Sequence, residues 1–189
     1  MDSPPSPTPS NWNVPNALSA ARLVLAVVVC ILIEWQLLFP AVICFVIAAS
    51  TDWIDGWWAR KFNQVTKLGR ILDPFVDKII ISGAMIALSA VPGSPIAPWM
   101  ATLVVGRELL VTSLRGMIEG QGGDFSAKQL GKWKMVAQCA AIVSVLIELQ
   151  FGTAPAWLHW TSMLFVWLAI ILTVVSGLEY VMLVAKKSQ

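Results

Sequence analysis

Apolar stretches of about 20 residues, separated by short connections, occupy most of this 189-residue chain. A helix needs roughly 20 mostly apolar residues to cross a lipid bilayer. Six stretches reach this length, at residues 17–37, 38–59, 71–91, 96–118, 128–149 and 156–183. The sequence therefore predicts an all-α integral membrane protein, built as a bundle of six transmembrane helices.

The composition agrees with this fold class. Residues are 57% hydrophobic and only 13% charged, whereas soluble domains carry about 25% charged residues. An ordinary soluble globule is therefore excluded. Residues 1–13 are different, because they are rich in proline and serine and cannot bury a core. We expect them to form a disordered leader before a membrane domain at residues 14–189. The net charge of +2 gives no indication of a nucleic-acid partner.

The positions of the basic residues predict the topology. All 13 Lys and Arg lie at the start of the first stretch, near the second and fourth connections, or at the C-terminus. The first, third and fifth connections contain no Lys or Arg. Basic residues are enriched in cytoplasmic segments of membrane proteins. We therefore expect both termini, and the second and fourth connections, to face the cytoplasm.

Four aspartates lie close together in sequence, at the end of the second stretch and the start of the third: Asp52, Asp55, Asp73 and Asp77. On helices, spacings of three and four residues place each pair on one face. Carboxylates that converge in a low dielectric need protons or cations, and sites with oxygen ligands alone favour Mg²⁺, Mn²⁺ or Ca²⁺. Two such ions about 4 Å apart would support in-line displacement at phosphorus. The same aspartates are also compatible with a cation or proton transporter.

Small and basic residues lie between the aspartates. Gly56, Ala59 and Gly69 leave room for a ligand or backbone to approach closely. Arg60 and Arg70 place positive charge beside the expected metal ions, as a bound diphosphate would require. The pattern therefore indicates a metal-dependent site for a phosphorylated ligand.

Residues 52–77 resemble the D-x-x-D-G-x-x-A-R-x₈-G-x-x-x-D-x-x-x-D signature of the CDP-alcohol phosphotransferase family at every defined position. The resemblance implies transfer of a phosphatidyl-type group from a CDP-linked lipid to an alcohol, with release of CMP. It implies that Asp52, Asp55 and Asp73 bind Mg²⁺ or Mn²⁺, with Asp77 near the ions and acting as general base. It also implies a homodimer in a bacterial inner membrane, with the active site facing the cytoplasm. The residues that it assigns to CDP-diacylglycerol are Asn16, Gly56, Ala59, Arg60 and Gly69.

Three further segments, residues 13–22, 107–115 and 131–138, resemble bacterial phosphatidylglycerophosphate synthases. In those enzymes the acceptor is glycerol 3-phosphate, a dianion that needs cations in its pocket. The candidate cations are Arg107, Arg115, Lys132 and Lys134. Alternative acceptors within the family are phosphatidylglycerol, as in a cardiolipin synthase, and inositol phosphate. Some of these cations could instead only set the topology or contact anionic lipid headgroups.

Overall fold

The computed structural model describes residues 14–61, 67–119 and 129–187, and within them the side chains of residues 17–51, 75–116 and 131–185. This part of the chain contains helices and no strand. The six helices are α1 (Val14–Glu34), α2 (Leu38–Lys61), α3 (Lys67–Ser89), α4 (Pro98–Glu119), α5 (Gln129–Gln150) and α6 (Ala156–Lys187). Each helix overlaps one of the six predicted stretches, so the all-α fold class is confirmed. The predicted leader lies outside the described residues.

Turn-forming residues explain where the helices end. Gln36, between α1 and α2, has a positive φ of 59°. Gly93 and Gly152 adopt positive φ in the connections before α4 and α6, where a residue without Cβ meets little steric cost. Pro98 is the first residue of α4, a position at which a missing backbone N–H does no harm.

The helices pack through an apolar core that runs along the bundle. α5 lies against α2, α3 and α6, while α1 packs on α2 and α3, and α4 packs on α3 and α6. Fully buried side chains such as Val29, Phe45, Met85, Val104 and Leu146 fill the space between them. This packing orders the helices so that α3, α4, α5 and α6 can contribute to one site.

Buried polar and charged side chains concentrate at one end of the bundle. At this end α1, α3 and α5 begin and α2, α4 and α6 end, and we call it the charged end. Its buried polar side chains include Arg22, Glu108, Lys134, Gln138 and Ser176. Because burial of a polar group is costly unless it is compensated, such a concentration indicates a site rather than a packing core.

Three described helices are long and apolar enough to cross a membrane. The segments are Ala17–Glu34 in α1, Gly131–Gln150 in α5 and Ala156–Ala185 in α6, and α2 has a shorter apolar part at Leu38–Thr51. Large apolar side chains such as Val24 and Leu164 are more than 60% exposed on these helices. An outer surface of this kind suits contact with lipid chains.

Candidate active site

A cavity of about 320 Å³ opens at the charged end, between α3, α4, α5 and α6. Its walls combine apolar side chains with five basic and two acidic ones. The basic residues are Lys78, Arg107, Arg115, Lys132 and Lys134, and the acidic residues are Asp77 and Glu108. All four cations singled out in the sequence therefore line the same cavity. The excess of positive charge suits a small anionic ligand.

Asp77 lies on α3 at the edge of this cavity and forms an ion pair with α1. The Arg22 guanidinium donates a hydrogen bond from Nη1 to Asp77 Oδ1 over 2.9 Å. Arg22 is 1% exposed, while the Asp77 side chain keeps 26% exposure. A bond of this kind fixes the orientation of the carboxylate without removing it from the cavity. The same contact joins the first helix to the site.

Glu108 on α4 is the centre of a buried group of charges. Its carboxylate accepts a hydrogen bond from Lys134 Nζ on α5. Arg107 Nη1 lies 3.3 Å from Oε1 and 3.5 Å from Oε2 of the same carboxylate. Two cations that would repel each other are thus held together by one anion, since buried charges need opposite charges close by.

The two arginines of α4 are held from the other side by α6. Arg107 Nη2 donates to Ser176 Oγ over 3.0 Å, and its Cζ lies 5.8 Å from the ring centre of Tyr180. Arg115 Nη2 donates to the Tyr180 hydroxyl over 3.0 Å. Arginine stacks on aromatic faces and bonds hydroxyls in this way without losing its charge. Both guanidinium groups are therefore oriented by one face of α6.

Lys78 and Lys132 differ in how strongly the protein holds them. Lys78 Nζ donates to Thr112 Oγ1 over 2.5 Å, and Thr112 in turn donates to the backbone oxygen of Glu108. Lys132 is exposed at the cavity rim. Four of the five cations are thus tied into the network of α4, α5 and α6, and the fifth stays accessible to solvent.

Comparison with known proteins shows the family of this chain. A sequence model of the CDP-alcohol phosphatidyltransferase family matches residues 12–175. This chain belongs to that family. A Bacillus subtilis (strain 168) protein named CDP-diacylglycerol–glycerol-3-phosphate 3-phosphatidyltransferase is 36% identical, over 89% of this chain and 93% of that protein. An Escherichia coli (strain K12) protein of the same name is 29% identical over the same shares of the two chains.

The family signature itself lies mostly outside the described side chains. Asp52, Asp55, Gly56, Ala59 and Arg60 belong to α2, and Gly69 and Asp73 to α3, but only their helical backbone is described. The side chain of Asn16 lies outside the description as well. Asp77 is the one signature aspartate whose side-chain surroundings are described. The roles assigned to all these residues remain predictions.

The structure places further residues at the candidate site that the family signature does not contain. In the sequence, Arg22 and Glu108 lie within the segments 13–22 and 107–115, and Lys78 is one of the 13 basic residues expected on the cytoplasmic side. Tyr180 lies outside all of these segments. Charged residues within apolar helices were the available signal for Arg22, Lys78 and Glu108, because such residues are expensive in a membrane and usually functional. For Tyr180 the only signal was that it is the single tyrosine of the chain.

Proposed function

We propose that the protein transfers the phosphatidyl group of CDP-diacylglycerol to glycerol 3-phosphate, giving phosphatidylglycerol phosphate and CMP. The observation that carries this proposal is the cavity in which five cations lie beside Asp77. Glycerol 3-phosphate is a dianion near neutral pH, so a pocket with excess positive charge suits it. The names of the relatives point to the same acceptor.

The phosphate of the acceptor would lie among Arg107, Arg115, Lys132 and Lys134. Arginine offers two parallel N–H donors that match a phosphate group, and lysine adds a mobile point charge. An acceptor held in this way can direct its hydroxyl toward Asp77, which lines the same cavity. A neutral alcohol would gain little from these side chains, which is why we favour a phosphorylated acceptor.

The reaction would be a direct in-line displacement. Asp77 would accept the proton of the acceptor hydroxyl while the hydroxyl oxygen forms a bond to the phosphatidyl phosphorus. The bond from that phosphorus to the bridging oxygen of the diphosphate would break, and CMP would leave. The Arg22 ion pair supports this assignment, because it holds the Asp77 carboxylate in a defined orientation.

Mg²⁺ or Mn²⁺, as a pair of ions, would be held by Asp52, Asp55, Asp73 and Asp77. The donor set fits such ions, because it consists of carboxylate oxygens alone. α2 and α3 pack against each other. Asp52 and Asp55 lie three residues apart on α2, and Asp73 and Asp77 lie four residues apart on α3. When bound, the ions would neutralise the diphosphate and the departing CMP. Arg60, Gly56, Ala59, Gly69 and Asn16 would bind the CDP-diacylglycerol itself.

The placement in the membrane forms part of the proposal. We expect all six helices to cross a bacterial inner membrane, with both termini and the charged end facing the cytoplasm. The exposed rings of Trp35, Trp99, Trp157 and Trp160 lie at the opposite end, where amphipathic rings would mark the outer interface. Family resemblance further implies a homodimer.

The proposal is tested by an acceptor panel. Purified protein with CDP-diacylglycerol should release CMP when glycerol 3-phosphate and Mg²⁺ or Mn²⁺ are added. CMP release should stop when a chelator removes the metal. The measurement is CMP release together with identification of the lipid product. Activity with phosphatidylglycerol alone would instead identify a cardiolipin synthase, and activity with inositol phosphate alone would identify an inositol-phosphate transferase. Ion flux through vesicles without any transferase activity would favour a transporter.

A glycine on α6 provides a second prediction. A Cβ added at Gly177 would lie 3.1 Å from Arg107 Cγ, so a Gly177→Ala substitution should displace Arg107 by a few tenths of an ångström. We expect the KM for glycerol 3-phosphate to rise about threefold with kcat nearly unchanged, because a small misplacement of a binding group weakens binding.

The matched control is Gly106→Ala, next to Arg107 on α4. A Cβ at this position meets no atom within 4 Å. Both substitutions raise helix propensity by a similar amount. The contact of the new Cβ with Arg107 is therefore the difference that the comparison tests. Equal KM values in the two variants would contradict the prediction.

A further inference from the structure

Tyr180 is the only tyrosine of the chain and lies in α6, buried to 5% exposure against the wall of the cationic cavity. A phenylalanine would bury the same ring here without placing a hydroxyl in this space. A buried hydroxyl is useful only where it meets a polar partner. Its partners therefore indicate what this residue does.

Tyr180 contacts two guanidinium groups at once. Its hydroxyl accepts a hydrogen bond from Arg115, and the face of its ring lies under Arg107. The two arginines are eight residues apart on α4, roughly 12 Å along the helix axis at 1.5 Å per residue. Arg107 is also held by Glu108 and Ser176, and Arg115 is held by the Tyr180 hydroxyl. Tyr180 brings them to one side of the cavity.

Both arginines retain donor capacity at this position. The Nε atoms of Arg107 and Arg115 are buried and, among the described residues, have no hydrogen-bond partner. A buried N–H that loses water without gaining an acceptor costs free energy. An enclosed Nε cannot itself reach a ligand, but both side chains line the cavity, where a phosphomonoester with three non-bridging oxygens can accept hydrogen bonds from their remaining guanidinium N–H groups.

We propose that Tyr180 is a positioning residue that holds Arg107 and Arg115 together as a binding site for the phosphomonoester group of the acceptor alcohol. Through these two arginines Tyr180 contributes to the preference for a phosphorylated alcohol over a neutral one. The inference rests on the proposed function in one respect, since it takes the acceptor to be glycerol 3-phosphate.

The kinetic test is Tyr180→Phe, which removes the hydroxyl and keeps the ring. We expect the KM for glycerol 3-phosphate to rise roughly tenfold, as for loss of one hydrogen bond to a charged group. The KM for CDP-diacylglycerol and kcat should stay within about twofold. In an Arg115→Met background the same substitution should have little further effect, because both changes remove one interaction.

The control is Thr161→Val, which removes another α6 hydroxyl whose bond runs to the backbone of its own helix at Trp157. It should leave both KM values unchanged. An unchanged KM for glycerol 3-phosphate in Tyr180→Phe would overturn the proposal. So would additive effects of the Tyr180 and Arg115 substitutions, or a uniform loss of kcat and thermal stability, which indicates a merely structural role.

A binding measurement separates this inference from the proposed reaction. Because the chain has one tyrosine, protein labelled with 3-fluorotyrosine should give one ¹⁹F resonance. Adding glycerol 3-phosphate without CDP-diacylglycerol should shift it, whereas glycerol should not. A shift in a protein without transferase activity would support the phosphate site and contradict the reaction. Transfer to glycerol 3-phosphate without any shift would support the reaction and contradict the role of Tyr180.

Discussion

An Asp77→Asn variant should transfer the phosphatidyl group at least about a hundredfold more slowly than the wild type, because a general base contributes 10²–10⁴ to the rate. Asparagine has nearly the same shape and still offers an oxygen to Arg22, which donates to Asp77 over 2.9 Å. The variant should therefore fold and keep a KM for glycerol 3-phosphate within a few-fold of the wild-type value. Steady-state CMP release measures both constants.

The matched control is Glu148→Gln. Glu148 lies near the end of α5, at the end of the bundle opposite the charged end. Glu148 is a carboxylate that, like Asp77, contacts a basic side chain, since its Oε1 lies 2.6 Å from His159 Nδ1, but it is buried. The same chemical change there should leave kcat unaltered. Asp77 is also proposed to bind metal, so the assay is repeated at high Mg²⁺ and Mn²⁺. Full activity at saturating metal would show a ligand role alone, and full activity under all conditions would refute both roles.

A Glu108→Gln variant should be the least stable of the single substitutions considered. Glu108 neutralises Lys134 and Arg107, and the side chains of Lys134 and Glu108 are 8% and 10% exposed. Breaking a buried pair by removing one partner costs on the order of 3 kcal/mol, since the remaining charge stays buried without compensation. The unfolding temperature in detergent should then fall by roughly 6–12 °C for a chain of this size.

A second substitution tests the cause of this loss. In Glu108→Gln/Lys134→Met the uncompensated lysine charge is removed, so stability should return most of the way to the wild-type value. Glycerol 3-phosphate should raise the unfolding temperature of Glu108→Gln more than that of the wild type, because its phosphate supplies the missing negative charge. A double variant no more stable than the single one would show that Glu108 acts by packing rather than by charge.

The helical architecture was predictable because a bilayer-spanning helix has a simple length requirement. Apolar runs of about 20 residues end at connections such as Gly93 and Pro98, and the six helices follow these boundaries. The four cations of the acceptor site could be named from resemblance, and the structure places Arg107, Arg115, Lys132 and Lys134 around one cavity.

The partners of these charges were not predictable in the same way. Arg22 and Asp77 are 55 residues apart in sequence, and Arg115 and Tyr180 are 65 apart. Neither helical periodicity nor motif spacing relates positions on helices that are not neighbours in the chain. Only the packing of α1 on α3, and of α4 on α6, brings these pairs within hydrogen-bond distance.

The sequence by itself determined the fold class, the family signature from Asp52 to Asp77 and the separation of the basic residues, because these depend on hydropathy and on local spacing. The tertiary structure decided which charges are held and by what. Glu108 joins Lys134 to Arg107, and Tyr180 joins Arg107 to Arg115, across three helices. The physical reason is that a buried charge is stabilised by the nearest opposite charge or hydrogen-bonding group in space, wherever that group lies in the chain.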